Sequence, residues 1–385
     1  MIALALLTAG CLLATEVPAV GDGIDRNDPN FVKASLMVAT PGEGILSCVG
    51  HVCLRLECPA FKLDNCFSLE HEKAADPFFS VFFEKLKMGL YVIPTAEYLE
   101  DFRPEGRGVV QYPLDLPPDL KVRLWQILDT EAEKGADDPY DYVKRSCTVT
   151  IVRYLQQAAP PYRLAFPGWD ARFLRTRREI FADALDDVPW QRAFLHLVVG
   201  TAWDRTTSNL EKLILPSDVV DFLSGTTISG RPVLDRAAAV QVLPLEHPRS
   251  GAPLVTPLIV ACLLLVLTVA SVVFHWSWMT YVLLALQSLI GFFLVYIYGF
   301  SHLPAANWNC LLIPFNPLPL VCWRWRRYWR RPFAAALLLW LLAALFSPFA
   351  WCDPAYLVLV IACIVRDAAP CVQVGCGGKT EVSCP

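Results

Sequence analysis

Charged side chains are scarce in this sequence, and they are unevenly distributed. Asp, Glu, Lys and Arg make up 18% of the 385 residues, whereas soluble globular chains carry roughly 25%. Residues 30–250, here called the N-terminal half, have an ordinary charge content, but long apolar runs dominate residues 253–367, the C-terminal half. This pattern excludes a single soluble body and predicts a soluble domain followed by a hydrophobic one.

A basic surface is also missing from the N-terminal half. The formal net charge of the chain is −4, and no cluster of Lys and Arg stands out in this half. Proteins that bind nucleic acids neutralise phosphates with such clusters, so no nucleic-acid partner is expected. The one basic cluster, residues 324–331, lies between apolar segments and is typical of the flank of a membrane span.

The N-terminal half lacks the ligand spacing of a zinc site. Its cysteines stand at positions 48, 53, 58, 66 and 147, and the five-residue intervals differ from a Cys-x-x-Cys pair. Neither a metal nor another cofactor is therefore predicted. In an oxidising compartment the first four cysteines could pair in three ways, which would leave Cys147 unpaired. The alternative, that all five are reduced, is equally open.

An apolar run without a positively charged beginning occupies residues 1–20. It is short for a membrane span and fits a signal peptide or an N-terminal anchor. Residues 7–11 loosely resemble a lipobox, which leaves lipidation as a further alternative. Each of these interpretations predicts that the N-terminal half is exported.

The N-terminal half mixes strand and helix patterns. Strands are predicted near residues 31–38, 45–56 and 108–114. Apolar residues on one face predict helices over 117–134 and 147–157, and residues 170–225 look mostly helical. Because strands and helices do not alternate regularly, the predicted fold class is α+β.

The C-terminal half contains about five candidate spans. Four are continuous apolar runs, and the third, between Asn307 and Trp323, is interrupted by prolines. The basic cluster lies between the third and fourth spans, and cytoplasmic loops carry the excess of Lys and Arg. This places the N-terminal half outside the cytoplasm, in agreement with the export signal. We expect a multi-pass inner-membrane protein with a periplasmic domain and a tail over residues 368–385.

Cys147 is the first candidate for chemistry. It follows Ser146 and opens a predicted helix, where the unpaired amides and the helix dipole stabilise a thiolate. Lys144 and Arg145 add positive charge nearby. A buried inert cysteine is the competing interpretation, and the odd cysteine count favours a functional one.

His51 is the candidate base for this thiol. It follows Gly50, which allows close approach of a ligand or of another backbone segment. His71 competes for the base role or could be a third, orienting group. Glu70 and Ser68 are rivals for that third position, and Arg55 is expected to form an ion pair or to position a substrate.

Four short segments carry a family resemblance: residues 50–55, 83–91, 106–108 and 140–150. In this order they resemble the Lnb N-terminal periplasmic domain family, whose pattern is a Gly-His-x-x-x-Arg strand and a Tyr-x-Tyr approach to a Cys-Thr-Thr helix start. Residues 189–190, 200–204, 213–216 and 307–317 are also similar to the family. The chain departs from the pattern at Ser146, where the family usually has Asn, and at Val149, which replaces the second Thr.

The resemblance implies lipoprotein N-acyl transfer by Cys147 and His51, with a phospholipid as acyl donor and a lipoprotein as acceptor. The same motifs make Arg55, Tyr142 and Ser146 candidate substrate-binding residues. The order His before Cys is similar to that of circularly permuted papain-like enzymes, which implies such a domain followed by an all-α multi-span membrane domain. Two alternatives stay open: a membrane-tethered cysteine hydrolase of the same fold, and a non-catalytic membrane assembly factor.

Overall fold

The computed structural model describes most of the chain. Described are residues 25, 27–71, 87–136, 138–139, 145–166, 175–204, 210, 213–301, 308–346, 352–369, 372–376 and 379–383. The predicted signal segment, residues 1–20, lies outside these ranges.

A seven-stranded antiparallel sheet forms the centre of the N-terminal half, in the order β10-β5-β1-β2-β3-β4-β6. Its strands are β1 (Lys33–Ala39), β2 (His51–Cys58), β3 (Leu63–His71), β4 (Lys87–Pro94), β5 (Val109–Pro113), β6 (Asp138–Pro139) and β10 (Val240–Leu243). A smaller sheet joins β7 (Leu164–Ala165), β8 (Thr227–Ile228) and β9 (Arg231–Pro232).

Among the described residues of the N-terminal half, six helices accompany the sheets. They are α1 (Thr95–Glu100), α2 (Pro118–Glu133), α3 (Cys147–Ala158), α4 (Arg177–Ala184), α5 (Pro189–Val198) and α6 (Pro216–Gly225). Leu120, Leu124 and Leu128 recur every four residues along α2, so they share one face of the helix, and all three are fully buried. This combination of an antiparallel sheet with helices confirms the α+β prediction.

The alternation of side chains along β2 gives the central sheet two covered faces. Leu54 and Leu56 pack into the main core with residues of α2 and α3. Cys53 points the opposite way and packs against Tyr98 of α1. The predicted strand over residues 45–56 begins later than expected, at His51, because residues 45–49 form a turn.

The C-terminal half is helical. Its longer helices are α7 (Pro257–Val273), α8 (Trp278–Phe300), α10 (Arg326–Phe346) and α11 (Pro354–Ala368). By length and composition, the helices over Trp278–Phe300 and Trp323–Phe346 could cross a membrane, and Pro257–Val273 is shorter but apolar. The number of spans stays a prediction.

The predicted third span is broken, as its prolines indicated. It consists of 3-10 turns at Cys310–Leu312 and Trp323–Trp325 around a single helical turn, α9 (Leu318–Val321). In the predicted tail, β11 (Val372–Cys376) and β12 (Lys379–Ser383) pair as an antiparallel hairpin.

The broken segment packs directly on the backbone of α8. A Cβ atom added at Gly291 would lie 1.9 Å from the carbonyl oxygen of Phe315. Gln287, one turn earlier, donates its side-chain amide to the carbonyl oxygen of Pro314 at 2.7 Å. Only glycine at position 291 allows this approach. Helix α8 thus provides space for the broken segment at Gly291 and a hydrogen-bond donor for its backbone at Gln287.

Helix α5 fixes the two halves to each other. The Arg192 guanidinium pairs with the buried Asp353 carboxylate at 2.9 Å, and the Tyr356 hydroxyl donates to the carbonyl oxygen of Ala193 at 2.8 Å. The backbone amide of Thr201, just after α5, donates to the carbonyl oxygen of residue 308 at 2.8 Å. Because hydrogen bonds are directional, these contacts fix both the distance between the two halves and their relative orientation.

Candidate active site

His51 occupies the first position of β2, directly after a strained turn. Gly50 has a φ of +86°, and a Cβ atom there would lie 2.7 Å from the carbonyl oxygen of Ala39. Both the conformation and the space require glycine. The turn therefore places the His51 side chain at the end of the sheet.

Two side chains of β3 contact the imidazole of His51. Its Nε2 lies 2.8 Å from Ser68 Oγ and 3.3 Å from Glu70 Oε1. The Ser68 hydroxyl donates to Glu70 Oε1 at 2.6 Å, so the ring N–H donates to the Ser68 oxygen. Ser68 is fully buried and Glu70 is partly exposed. A carboxylate thus orients the histidine, partly through a hydroxyl.

Cys147 is the first residue of α3, as the sequence predicted. The Ser146 hydroxyl caps the helix by accepting from the backbone amide of Val149 at 3.3 Å. The Thr148 hydroxyl donates to the carbonyl oxygen of Leu213, which fixes the first turn to the segment before α6. The thiol therefore lies among the amides of a helix N-terminus, the position that stabilises a thiolate.

The thiol of Cys147 and the ring of His51 lie within hydrogen-bonding reach of each other. Because Nε2 faces Ser68 and Glu70, Nδ1 is the ring nitrogen left for the thiol. Burial alone would lower the pKa of His51, but the charges and hydrogen bonds of Glu70 and Cys147 raise it to about 10. The arrangement therefore favours a protonated His51 ring between the Cys147 sulfur and the Glu70 carboxylate.

Glu70 is held in its charged form. Burial would raise the pKa of its carboxyl group, but the neighbouring His51 and the Ser68 hydroxyl bring the pKa below its usual value. A carboxylate in this position stabilises the imidazolium and fixes the orientation of the ring. The three groups can thus act as nucleophile, acid–base and orienting carboxylate.

The geometry favours Ser68 and Glu70, over His71, for the third position. Successive side chains of a strand alternate between faces, so His71 falls on the face of β3 opposite to Ser68 and Glu70. It still acts on Glu70 electrostatically. A catalytic role for His71 stays a prediction, since the neighbours of the His51 ring come from the other face.

Arg55 lies on β2 four residues beyond His51, which is roughly 13 Å along a strand. Its guanidinium donates to both carboxylate oxygens of Asp64 at 2.8 Å and to the Gln111 side chain at 2.7 Å. Arg55 is therefore an ion-pair residue, and its contacts link β2 to β3 and to β5. Its predicted contact with substrate is not tested by this arrangement.

The remaining candidates are Ser146 and Tyr142. Besides its capping role, Ser146 lies 2.8 Å from the Thr148 hydroxyl, so its oxygen is already engaged at the helix start. Tyr142 and Lys144 lie outside the described residues. Substrate contacts of Ser146 and Tyr142 stay predictions.

The cysteines of the N-terminal half differ sharply in exposure. Cys147 is half-buried, whereas four others are buried thiols: Cys48, Cys53, Cys58 and Cys66. Within the described ranges, no group of three or more His, Cys, Asp or Glu side chains could hold a metal ion. Among these cysteines, the position of Cys147 is the one that suits nucleophilic chemistry.

The loop that leads to His51 contacts the helix that joins the two halves. The Gln191 side chain of α5 donates to the carbonyl oxygen of Glu43 in this loop at 2.8 Å. The preceding residue, Trp190, donates its indole N–H to the carbonyl oxygen of Val255, just before α7, at 2.9 Å. The site is therefore linked to the start of the first apolar helix through two neighbouring residues of α5.

Some of these contacts were not foreseen from the sequence. The spacing of Ser68 and Glu70 was a usable signal, because residues two apart on a strand share a face. The bond from Thr148 to Leu213 and the role of α5 as the joining helix had no local signal. Both depend on residues that are far apart in the chain and meet only in the fold.

Family models match both halves of the chain. Residues 24–179 match the model of the Lnb N-terminal periplasmic domain, and residues 249–373 match that of the Lnb transmembrane domain. No curated protein and no solved structure gives a significant match. The two matches account for the site-bearing sheet and for the apolar helices, respectively.

Proposed function

The chain belongs to the Lnb family, and from this premise we propose that it is a membrane-bound thiol acyltransferase of lipoprotein maturation. It is a membrane protein with a periplasmic domain, and we place it in the inner membrane with several spans. The acyl donor is a phospholipid, and the acceptor is the N-terminal amine of a diacylglyceryl-cysteine lipoprotein. The order of His51 and Cys147 along the chain suits a permuted papain-like arrangement.

One observation carries the proposal: the helix-start thiol of Cys147 meets His51 in a domain that α5 holds to an apolar helical bundle. A soluble amidase or peptidase has no need for such a bundle. Both substrates of the proposed reaction carry acyl chains, so they are confined to the bilayer. A site held at the bilayer surface meets them at high local concentration.

The first half-reaction transfers the acyl chain to the enzyme. The Cys147 thiolate attacks the ester carbonyl carbon of the phospholipid, and a carbon–sulfur bond forms. As the tetrahedral intermediate collapses, the carbon–oxygen bond breaks and the His51 imidazolium protonates the leaving alcohol. The products are a lysophospholipid and an acyl thioester on Cys147.

The second half-reaction transfers the chain to the lipoprotein. The neutral α-amine attacks the thioester carbonyl carbon, and His51, now neutral, accepts the proton of the amine. The carbon–sulfur bond breaks, and Cys147 leaves as a thiolate that regains its imidazolium partner. Ser68 and Glu70 keep the ring oriented in both steps, while Ser146, Tyr142 and Arg55 are proposed to contact substrate.

The test is an assay of both half-reactions in vesicles. Purified full-length protein is incubated with phospholipid labelled in its acyl chains, first alone and then with a synthetic diacylglyceryl-cysteine peptide. We expect label on the protein as a hydroxylamine-sensitive thioester, followed by its transfer to the amine of the peptide. Free labelled fatty acid or a cleaved peptide as the main product would contradict transfer and favour the hydrolase.

Matched cysteine variants complete the test. Cys147→Ala should lose the thioester and reduce transfer by roughly 10³-fold or more, because a catalytic nucleophile is removed. Cys262→Ala, which changes an exposed cysteine of α7, should keep full activity. Full activity of Cys147→Ala in cells would instead support the non-catalytic assembly factor.

A further inference from the structure

Two buried cysteines lie next to His51 and the two side chains that contact its ring, Ser68 and Glu70. Cys53 follows His51 by two residues on β2, and Cys66 precedes Ser68 by two residues on β3. Both cysteines are fully buried thiols. The strand register pairs Arg55 with Cys66, so Cys53 and Cys66 share one face of the sheet and are diagonal neighbours across the two strands.

The two thiols lie close enough to interact with each other. Both belong to the buried cluster that contains Tyr98, and the Thr95 hydroxyl lies 3.6 Å from the Cys66 sulfur. The pairing of β2 with β3 ends at Leu54, so Cys53 lies just beyond the last paired residue. On its other side Cys53 stays paired with Met37 of β1, so any approach of the two sulfurs comes from their side chains and from β3.

The other two buried cysteines of this region point elsewhere. Cys58 alternates to the opposite face of β2, together with Leu54 and Leu56. Cys48 packs in a separate cluster, and its thiol donates to the carbonyl oxygen of Ile45 at 3.1 Å. Of the pairings that the sequence left open, the fold therefore brings one pair within bonding reach.

From this geometry we propose that Cys53 and Cys66 form a disulfide bond in the exported protein. The domain that carries them is periplasmic, and disulfides form and persist in that compartment. The bond requires the two sulfurs to approach to about 2.05 Å. The bond would link β2, which carries His51, to β3, which carries Ser68 and Glu70. It does not depend on the proposed acyl transfer.

The oxidant is a protein disulfide of the exported compartment. The thiolate of one cysteine attacks a sulfur of that disulfide, whose S–S bond breaks, and the departing thiolate takes up a proton. The thiolate of the second cysteine then attacks the mixed disulfide, which forms the Cys53–Cys66 bond and releases the second oxidant thiol. Because both sulfurs are buried in the folded domain, the exchange takes place during folding.

A peptide map of the full-length protein tests the bond. Exported protein is acid-quenched, denatured without reductant, alkylated with N-ethylmaleimide and digested with trypsin. Cleavage after Lys and Arg leaves Cys48 and Cys53 in peptide 34–55, Cys58 in peptide 56–62 and Cys66 in peptide 63–73. We expect peptide 34–55 linked to peptide 63–73, with the peptide of residue 58 alkylated. Alkylated Cys66, or its link to peptide 56–62, would overturn the proposal.

Two single variants distinguish the cysteines that share a peptide. Cys48→Ala should keep the link, and Cys53→Ala should abolish it and leave Cys66 open to alkylation. A link that disappears in Cys48→Ala, or persists in Cys53→Ala, contradicts the assignment. If Cys53→Ala does not accumulate, the map of Cys48→Ala decides alone, because Cys53 is then the only cysteine left in its peptide.

A stability measurement gives a second readout. A reductant should lower the thermal midpoint of the wild-type protein by several degrees, because it releases the constraint between β2 and β3. The same reductant should lower the thermal midpoint of Cys48→Ala by as much as it lowers that of the wild type. An unchanged midpoint in wild type with reductant would speak against the bond.

Discussion

The N-terminal and C-terminal halves of the molecule cover their surfaces with opposite kinds of side chain. In the N-terminal half, the largest fully buried side chains are almost all apolar, and charges lie mainly outside. In the C-terminal half, large apolar side chains face outward, while polar ones are buried between the helices. The exposed apolar side chains of this half include Val266, Leu289, Leu339 and Phe346. Its buried polar side chains include Thr268, Ser271, Gln287 and Arg366.

This inversion shows that one chain is built for two solvents. Charged side chains are stable on a surface that faces water, and apolar side chains are stable on a surface that faces a bilayer. In both settings buried polar groups need hydrogen bonds. In each half, one buried arginine is paired with a buried carboxylate. Arg178 pairs with Asp204 in the N-terminal half, and Arg366 pairs with Asp367 and with Gln287 in the C-terminal half.

The Arg178 pair has a further role at the junction of the halves. Its guanidinium also donates to the carbonyl oxygens of His196, Val199 and Gly200, at and beyond the end of α5. Carbonyl groups in the last turn of a helix have no partner within the helix, and the Arg178 guanidinium supplies one for His196. The pair therefore holds the end of the helix that docks on the C-terminal half.

The largest effect on stability is expected from breaking this buried pair. Asp204→Asn should lower the free energy of unfolding by about 3–5 kcal/mol, because it leaves the Arg178 charge buried without its carboxylate. The matched change Asp183→Asn, in the exposed pair with Arg175, should cost less than about 1 kcal/mol. Chemical unfolding followed by tryptophan fluorescence measures both, and equal losses would contradict the distinction.

A charge on the outward face of α7 tests whether that face meets lipid. Leu263, near the middle of α7, is 57% exposed. Leu263→Lys should cost about 2.5–3.5 kcal/mol in a bilayer, because a lysine at the centre of a span is costly to insert. Leu254→Lys, before the helix, should cost little. The fraction of protein that resists alkaline extraction from membranes reports the difference, and equal tolerance would argue against a membrane setting for α7.

The packing of the broken segment on α8 is tested by two glycines of that helix. Gly291→Ala should destabilise the C-terminal half by about 1–3 kcal/mol, because the new methyl group overlaps the carbonyl oxygen of Phe315. Gly299→Ala meets no atom within 4 Å and should be neutral or stabilising. Thermal unfolding in vesicles compares them; a neutral Gly291→Ala would show that the segment lies elsewhere.

The smallest expected effect concerns the pH dependence of the site. Glu70→Gln removes a charge that raises the pKa of His51, so the ring should lose its proton at a lower pH than about 10. In the proposed first half-reaction the protonated ring is the acid, so the alkaline limb of thioester formation should move to lower pH, by about one unit. Glu57→Gln, beside Arg55 at the far end of β2, should leave the limb in place.

The elements that the sequence predicted well are those with a local period. The helices over 117–134 and 147–157 and the strand over 108–114 appear close to their expected bounds, because their apolar residues repeat with the period of the element. The strand expected from residue 45 begins only at His51. The residues before it form a turn that ends at the positive φ of Gly50, which a window of hydrophobic residues does not detect.

The site was predictable in its parts and not in its assembly. The apolar spacing predicted a helix that starts near Ser146, which placed Cys147 at its beginning, and Gly50 marked the approach to His51. Their meeting depends on the stacking of α3 on a sheet whose strands come from distant parts of the chain. The third position stayed open among His71, Glu70 and Ser68 because no strand was predicted there. Once β3 forms, alternation along the strand separates His71 from Ser68 and Glu70.

The docking of α5 also bears on which concentration would govern the proposed acyl transfer. In that proposal the site is held to the apolar helices, and its lipid substrates reach it by lateral diffusion within a two-dimensional sheet. Turnover then follows the mole fraction of donor and acceptor among the lipids rather than their amount per litre. Diluting a vesicle suspension leaves such a rate per enzyme unchanged, whereas adding inert lipid to the same vesicles lowers it.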